Sequence, residues 1–256
     1  MWRRLRIVAL LLILAFVALN TYFDRVYSTD WDNPLRVAVF PINADDSAVS
    51  ERYIRQLSSD SFAEIETFFE QEAKEYGLQM ERPIRLTLAP PLAQSPPTLA
   101  SDPGMLCAAW WSLRMRFWVW GVDAPPGPAP DIKLFVLYHD PAISPLVPHS
   151  LGLQKGLFGV VHVFADAGMQ GSNETVMAHE LLHTLGATDK YDLRTNQPTR
   201  PEGYAEPDRD PLYPQSFAEL MGGRIPESST ESTTPESLQQ VIIGAKTASE
   251  IGWSKR

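Results

Sequence analysis

The chain has 256 residues, 44% of them hydrophobic, with seven tryptophans and a formal net charge of −9. That length and apolar share suit one well-buried domain or two small lobes and exclude a disordered chain. The acidic balance argues against a nucleic-acid partner.

Arg3, Arg4 and Arg6 precede a run without charge, Ile7 to Phe23, about 26 Å long as a helix. Residues 1–27 therefore read as a membrane anchor or signal segment. An uncleaved transmembrane helix with its N-terminus inside fits the arginine flank. A cleaved signal peptide is the alternative, though Phe16 and Ala18 before Leu19 match a cleavage site poorly. Either reading exports residues 28–256. These hold 18 basic and 30 acidic side chains, a net of −12, so their own surface is ill suited to anionic lipid. Cys107, the single cysteine, rules out an internal disulfide and suits a bacterial periplasm.

Leu35 to Ile42 predicts a first strand, Ser47 to Tyr76 one long helical stretch ended by Gly77, and Ile84 to Leu88 a second strand. Residues 90–103 are proline-rich. Met105 to Trp120 carries four tryptophans and satisfies both helical and strand periodicity. Core packing is its simplest role, with an aromatic surface facing a membrane or partner as the alternative. After a loop at 124–130, strands are predicted at 132–138 and 160–164. The segment 226–236 reads as a mobile loop, and Leu238 to Trp253 as a closing amphipathic helix.

Between Asn173 and Asp192 the sequence reads NETVMAHELLHTLGATDKYD. His179 and His183 are four apart, so on a helix both imidazoles face one side and can share a metal ion. Glu180 can take a proton from a metal-bound water. Asn173 is the expected N-cap of this helix, placed at about 173–185. Gly186 supplies a left-handed stop at little cost, so the chain can return Asp189 toward the metal.

The resulting pattern, HExxHxxGxxD, resembles the metzincin group of zinc metallopeptidases. That resemblance implies zinc ligation by His179, His183 and Asp189, with Glu180 as general base. It also implies a methionine-containing turn further on, for which residues 219–223 with Met221 are the candidate. The implied fold is an α/β zincin with a mixed sheet and active-site helix in an upper lobe, 28–186, over an irregular lower lobe, 187–256. An antiparallel edge strand beside the cleft is implied as well, with Ser150 to Lys155 as candidate.

Some alternatives stay open. Glu219 or Glu206 could replace Asp189 as third ligand. Tyr191, Tyr204 and Tyr213 are candidate oxyanion donors. Asp192, Glu202, Glu206, Asp208 and Asp210 offer oxygen donors for a structural Ca²⁺. His162 reads as a sheet histidine, and His139 and His149 as exposed ends and loops. The expected function is a membrane-anchored, zinc-dependent endopeptidase acting on peptide or protein substrates. The rival is an inactive, tethered binding module of the same fold.

Overall fold

A computed structural model describes residues 28–98, 104–154 and 156–254, together with Arg6, Ile7 and Leu11. The apolar run at 7–23 lies almost wholly outside the described residues. Among the described residues no helix is long and apolar enough to cross a membrane.

The architecture is mixed α/β around a five-stranded sheet. Its strands are β1 (Leu35–Asn43), β2 (Ile84–Leu88), β3 (Ile132–His139), β4 (Leu151–Leu153) and β5 (Phe158–Phe164), in the order β2-β1-β3-β5-β4. The first four neighbours run parallel, and β4 is an antiparallel edge. The edge strand thus occupies the middle of the predicted 150–155 segment, of which residue 155 lies outside the described residues. Pro41 stands inside β1, where a missing N–H would normally be costly. Its carbonyl accepts from Leu92 on the side where β2 has already ended, so no ladder bond is lost there.

Both sheet faces are covered, which is why β1 and β3 are apolar almost throughout. Val37, Val39, Leu134, Val136 and Val161 pack against α1 (Ala48–Gln56), α2 (Ala63–Glu75) and the later helix that carries the histidine motif. The other face buries Phe40, Ile42, Phe135 and Leu137 under α3 (Met105–Trp120). Burying each such side chain contributes about 1.5–3 kcal/mol.

Several expected boundaries change. The stretch 47–76 is two helices, because Leu57 and Ser58 are extended and Ser58 begins a new turn through reciprocal bonds with Ser61. Met105 to Trp120 is a helix, yet the expectation of core packing fails. Only Met115 is buried, while Trp110 is 62% and Trp120 84% exposed. One side leans on the sheet through Trp111 and Trp118, the latter edge-on to Phe135 at 4.6 Å. No described element covers the other side.

The motif helix, α4 (Gln170–Thr184), starts three residues before the expected N-cap. Asn173 sits inside it and instead bonds the backbone N–H and carbonyl of Phe164, tying α4 to the end of β5. Beyond α4, among the described residues, come β6 (Tyr191–Asp192), β7 (Gln197–Pro198), β8 (Ala218–Glu219), β9 (Ile225–Pro226), β10 (Ser232–Thr233) and β11 (Val241–Ile242). They pair β6 with β7, β8 with β11 and β9 with β10. The closing helix is only α5 (Ala245–Glu250), because Val241 and Ile242 are drawn into pairing with β8. Leu220, Met221, Leu238, Ile251 and Trp253 join the same core as α2 and α4, so one core spans both predicted lobes.

Candidate metal centre

Helix α4 places His179 and His183 one turn apart, with ring centroids 4.8 Å from each other. The helix ends where Gly186 takes φ +98° and Ala187 N–H returns to the Leu182 carbonyl. That reversal delivers Asp189. Its Oδ1 lies 3.2 Å from His179 Nε2 and 3.1 Å from His183 Nε2. Among the described residues, these three side chains form the one group of at least three histidine, cysteine or acidic ligand atoms close enough to share a metal ion, all within 4.8 Å.

Each ring is oriented by a backbone carbonyl. His179 Nδ1 lies 2.9 Å from Leu220 O, and His183 Nδ1 lies 2.9 Å from Ala187 O. A carbonyl only accepts, so both Nδ1 atoms carry the proton and a neutral ring presents its Nε2 lone pair inward. Two such lone pairs and a carboxylate oxygen cannot share so small a space without a proton or cation between them. The donor set therefore fits a metal ion, with carbonyl partners of the kind that fix metal-ligating histidines.

The charges follow the same logic. Burial raises the Asp189 carboxyl, but hydrogen bonds from His179 and His183 outweigh it and hold the acid well below the usual range. Burial lowers His183, and its bond to Asp189 together with the Glu180 charge reverses that to a net rise. Glu180 is raised chiefly by burial. Only 7% exposed, its Oε2 has no hydrogen-bond partner.

The sequence did not mark what braces this cluster. Gly152, in β4, donates its N–H to Glu180. A Cβ there would lie 2.3 Å from the Glu180 carbonyl and 2.5 Å from His183 Cβ, so the edge strand can approach α4 only through glycine. Residues on either side of Asp189 are held by Glu250 of α5. Thr188 bonds it through its N–H and hydroxyl at 3.0 and 3.1 Å, and buried Lys190 through Nζ at 2.8 Å. Glycine content and an i, i+2 pair of polar residues were the faint signals available.

Met221 is fully buried in a tight turn where Gly222 and Gly223 N–H both return to the Glu219 carbonyl. Glu219 stands away from the cluster as a buried acid held by Gly222 N–H, Gly244 N–H and the Thr247 hydroxyl. Glu206 is committed to Arg209 and Ser216. Neither joins the histidines. Tyr191 does approach, hydrogen-bonded to Asp189 and raised to about 12, mainly by burial. Tyr204 and Tyr213 bond each other at 2.8 Å and do not line the cavity. Asp192, Glu202, Glu206, Asp208 and Asp210 do not converge into a group of three or more ligands.

Beside the cluster opens a cavity of about 320 Å³, bounded by His149, His162, Val176, Leu220 and Arg224 as well as His179 and Glu180. His139 is buried rather than exposed. Its Nε2 lies 2.9 Å from Nδ1 of His162, which burial and then His139 pull down to about 4.

No known protein family and no curated protein matches the chain. A comparison of folds finds a solved structure titled "Structure of a chaperone-substrate complex", at 12% identity and TM-score 0.39. It covers 87% of this chain and 35% of that one. A likeness so distant carries no argument.

Proposed function

We propose that this chain is a zinc-dependent endopeptidase of metzincin type, tethered by residues 7–23 with its catalytic domain outside the cytoplasm. The observation that carries the reading is the convergence of His179, His183 and Asp189 beside buried Glu180, whose Oε2 has no hydrogen-bond partner. A sheet with one antiparallel edge strand next to the motif helix supports it further.

His179 Nε2, His183 Nε2 and Asp189 Oδ1 would hold the zinc. When bound, the ion supplies a Lewis acid that polarises a peptide carbonyl and makes water acidic enough to attack near neutral pH. Glu180 would carry the proton. Its raised affinity for protons and free Oε2 suit it to take one from the attacking water and pass it to the leaving amine. β4 offers an extended backbone edge along which a substrate chain can pair. Tyr191 stands next to Asp189 with a hydroxyl able to donate to developing negative charge.

The test is zinc content and hydrolysis of quenched peptides and unfolded protein by wild type and Glu180→Gln. Near-stoichiometric zinc in both, with hydrolysis lower by about 10²–10⁴-fold in the variant, is the expected outcome. Full activity in the variant, or no zinc in either protein after reconstitution, would overturn the reading and favour a binding module.

A further inference from the structure

The cavity beside the metal centre contains a cation that the proposed chemistry does not use. Arg224, immediately after the Gly222–Gly223 turn, is half-buried in the wall that also holds His179 and Glu180. Among the described residues it has no hydrogen-bond or ion-pair partner. Two earlier arginines of the same lobe are committed: Arg200 donates to the Pro207 carbonyl and Arg209 to Glu206.

In a chain with 31 acidic residues, an arginine left without an acid is placed where no acid reaches. Among the described residues Glu180 is the only acidic one lining the cavity, and its role lies with the proton. Apolar Val147, Val176 and Leu220 share the cavity wall with Arg224, and an apolar lining strengthens charge pairing there. His162, lowered to about 4, is neutral near physiological pH and adds no competing charge. A guanidinium is a planar fork of donors matched to a carboxylate, and pairing replaces the hydration lost on partial burial. The cavity volume falls within the range of small-ligand pockets and accepts one side chain.

We propose that Arg224 selects a substrate carboxylate beside the bond to be hydrolysed, supplied by an aspartate or glutamate side chain or by a free chain end. The proposal rests on the peptidase reading for its setting, and its recognition step is testable apart from it.

The experiment uses the full chain, loaded with zinc, and peptides that differ only by Glu against Gln next to the cleavage position. One set is acetylated and amidated, and a second has a free C-terminus. Wild type is expected to favour the acidic peptides by about 10- to 100-fold in kcat/KM. Arg224→Gln should bring Glu and Gln peptides to the same value, and Arg224→Glu should transfer the preference to Lys, with zinc content reporting that the fold is intact. A preference for the free over the amidated C-terminus, with Glu and Gln equal, assigns the carboxylate to the chain end. Equal rates in wild type both for Glu against Gln and for free against amidated C-termini, or a preference that survives in Arg224→Gln, would overturn the assignment. Peptide affinity of Glu180→Gln gives a readout without hydrolysis. Acid-selective binding together with no hydrolysis by wild type would refute the peptidase reading and uphold Arg224, whereas unselective binding would refute Arg224 alone.

Discussion

His179 Nδ1 lies 2.9 Å from the carbonyl oxygen of Leu220, a residue 41 positions further along the chain. The turn holding Met221 therefore sets the orientation of a ring in α4. Met221→Leu keeps the volume and should cost less than about 1.5 kcal/mol. Met221→Ala opens a cavity in a fully buried position and should cost about 2–5 kcal/mol. Urea unfolding of both variants, read alongside zinc content, checks whether the turn supports the ring.

Zinc should stabilise the fold by mass action. At a hundred times its dissociation constant it contributes about 2.7 kcal/mol, equivalent to several degrees in Tm for a domain of this size. Chelation should lower the Tm of wild type and of Glu219→Gln, and leave that of Asp189→Ala unchanged. If Glu219→Gln instead loses the chelator response while Asp189→Ala keeps it, the third ligand has been misassigned.

Glu250 clamps Thr188 and Lys190 around Asp189. Glu250→Ala should cost about 3–5 kcal/mol, because the ammonium of Lys190 stays buried without its partner. It should also weaken zinc binding by about 10- to 100-fold by releasing the ligand loop. Zinc titration of a Lys190→Met, Glu250→Leu double variant separates the two effects: stability returns while weakened binding remains.

Gly152→Ala places a methyl group against the Glu180 carbonyl and His183 Cβ. Overpacking of this kind costs about 1–3 kcal/mol. The edge strand must move away from α4, so peptide affinity should fall together with stability. Unchanged peptide affinity in a correctly folded Gly152→Ala chain would show that β4 does not hold the substrate.

Glu72 accepts the Ile243 N–H at 2.6 Å and is raised to about 7, first by burial and then by the charges of Glu75 and Glu219. A folded-state pKa above the unfolded value means that its stabilisation is complete below about pH 4.5 and is lost as pH rises through 7. The full swing is up to about 3 kcal/mol. Unfolding free energies at pH 4.5, 6 and 7.5 should therefore fall less steeply in Glu72→Gln than in wild type. Parallel slopes would exclude Glu72 as the source.

Local rules made part of this molecule legible in its sequence. The four-residue spacing of His179 and His183, the left-handed stop at Gly186 and the β-branched runs at 35–43 and 158–164 each depend on neighbours within a turn or a strand. Helix period and strand alternation encode such features directly. The register of α4 was harder, since Asn173 looked like a cap until Phe164 offered it a better pair of partners.

What the tertiary structure alone decided lies in contacts between distant segments. The Leu220 carbonyl on His179, the Glu250 clamp and the close pass of Gly152 leave no periodic trace, because one residue meets one partner tens of positions away. The exposed outer face of α3 was hidden for a related reason. Its residues are mostly apolar, so composition called for burial, and only the packing shows that Met115 is the one residue the sheet encloses. Arg224 belongs to the same class. Whether an arginine is paired depends on which acids the fold brings within reach, and among the described residues none pairs with Arg224.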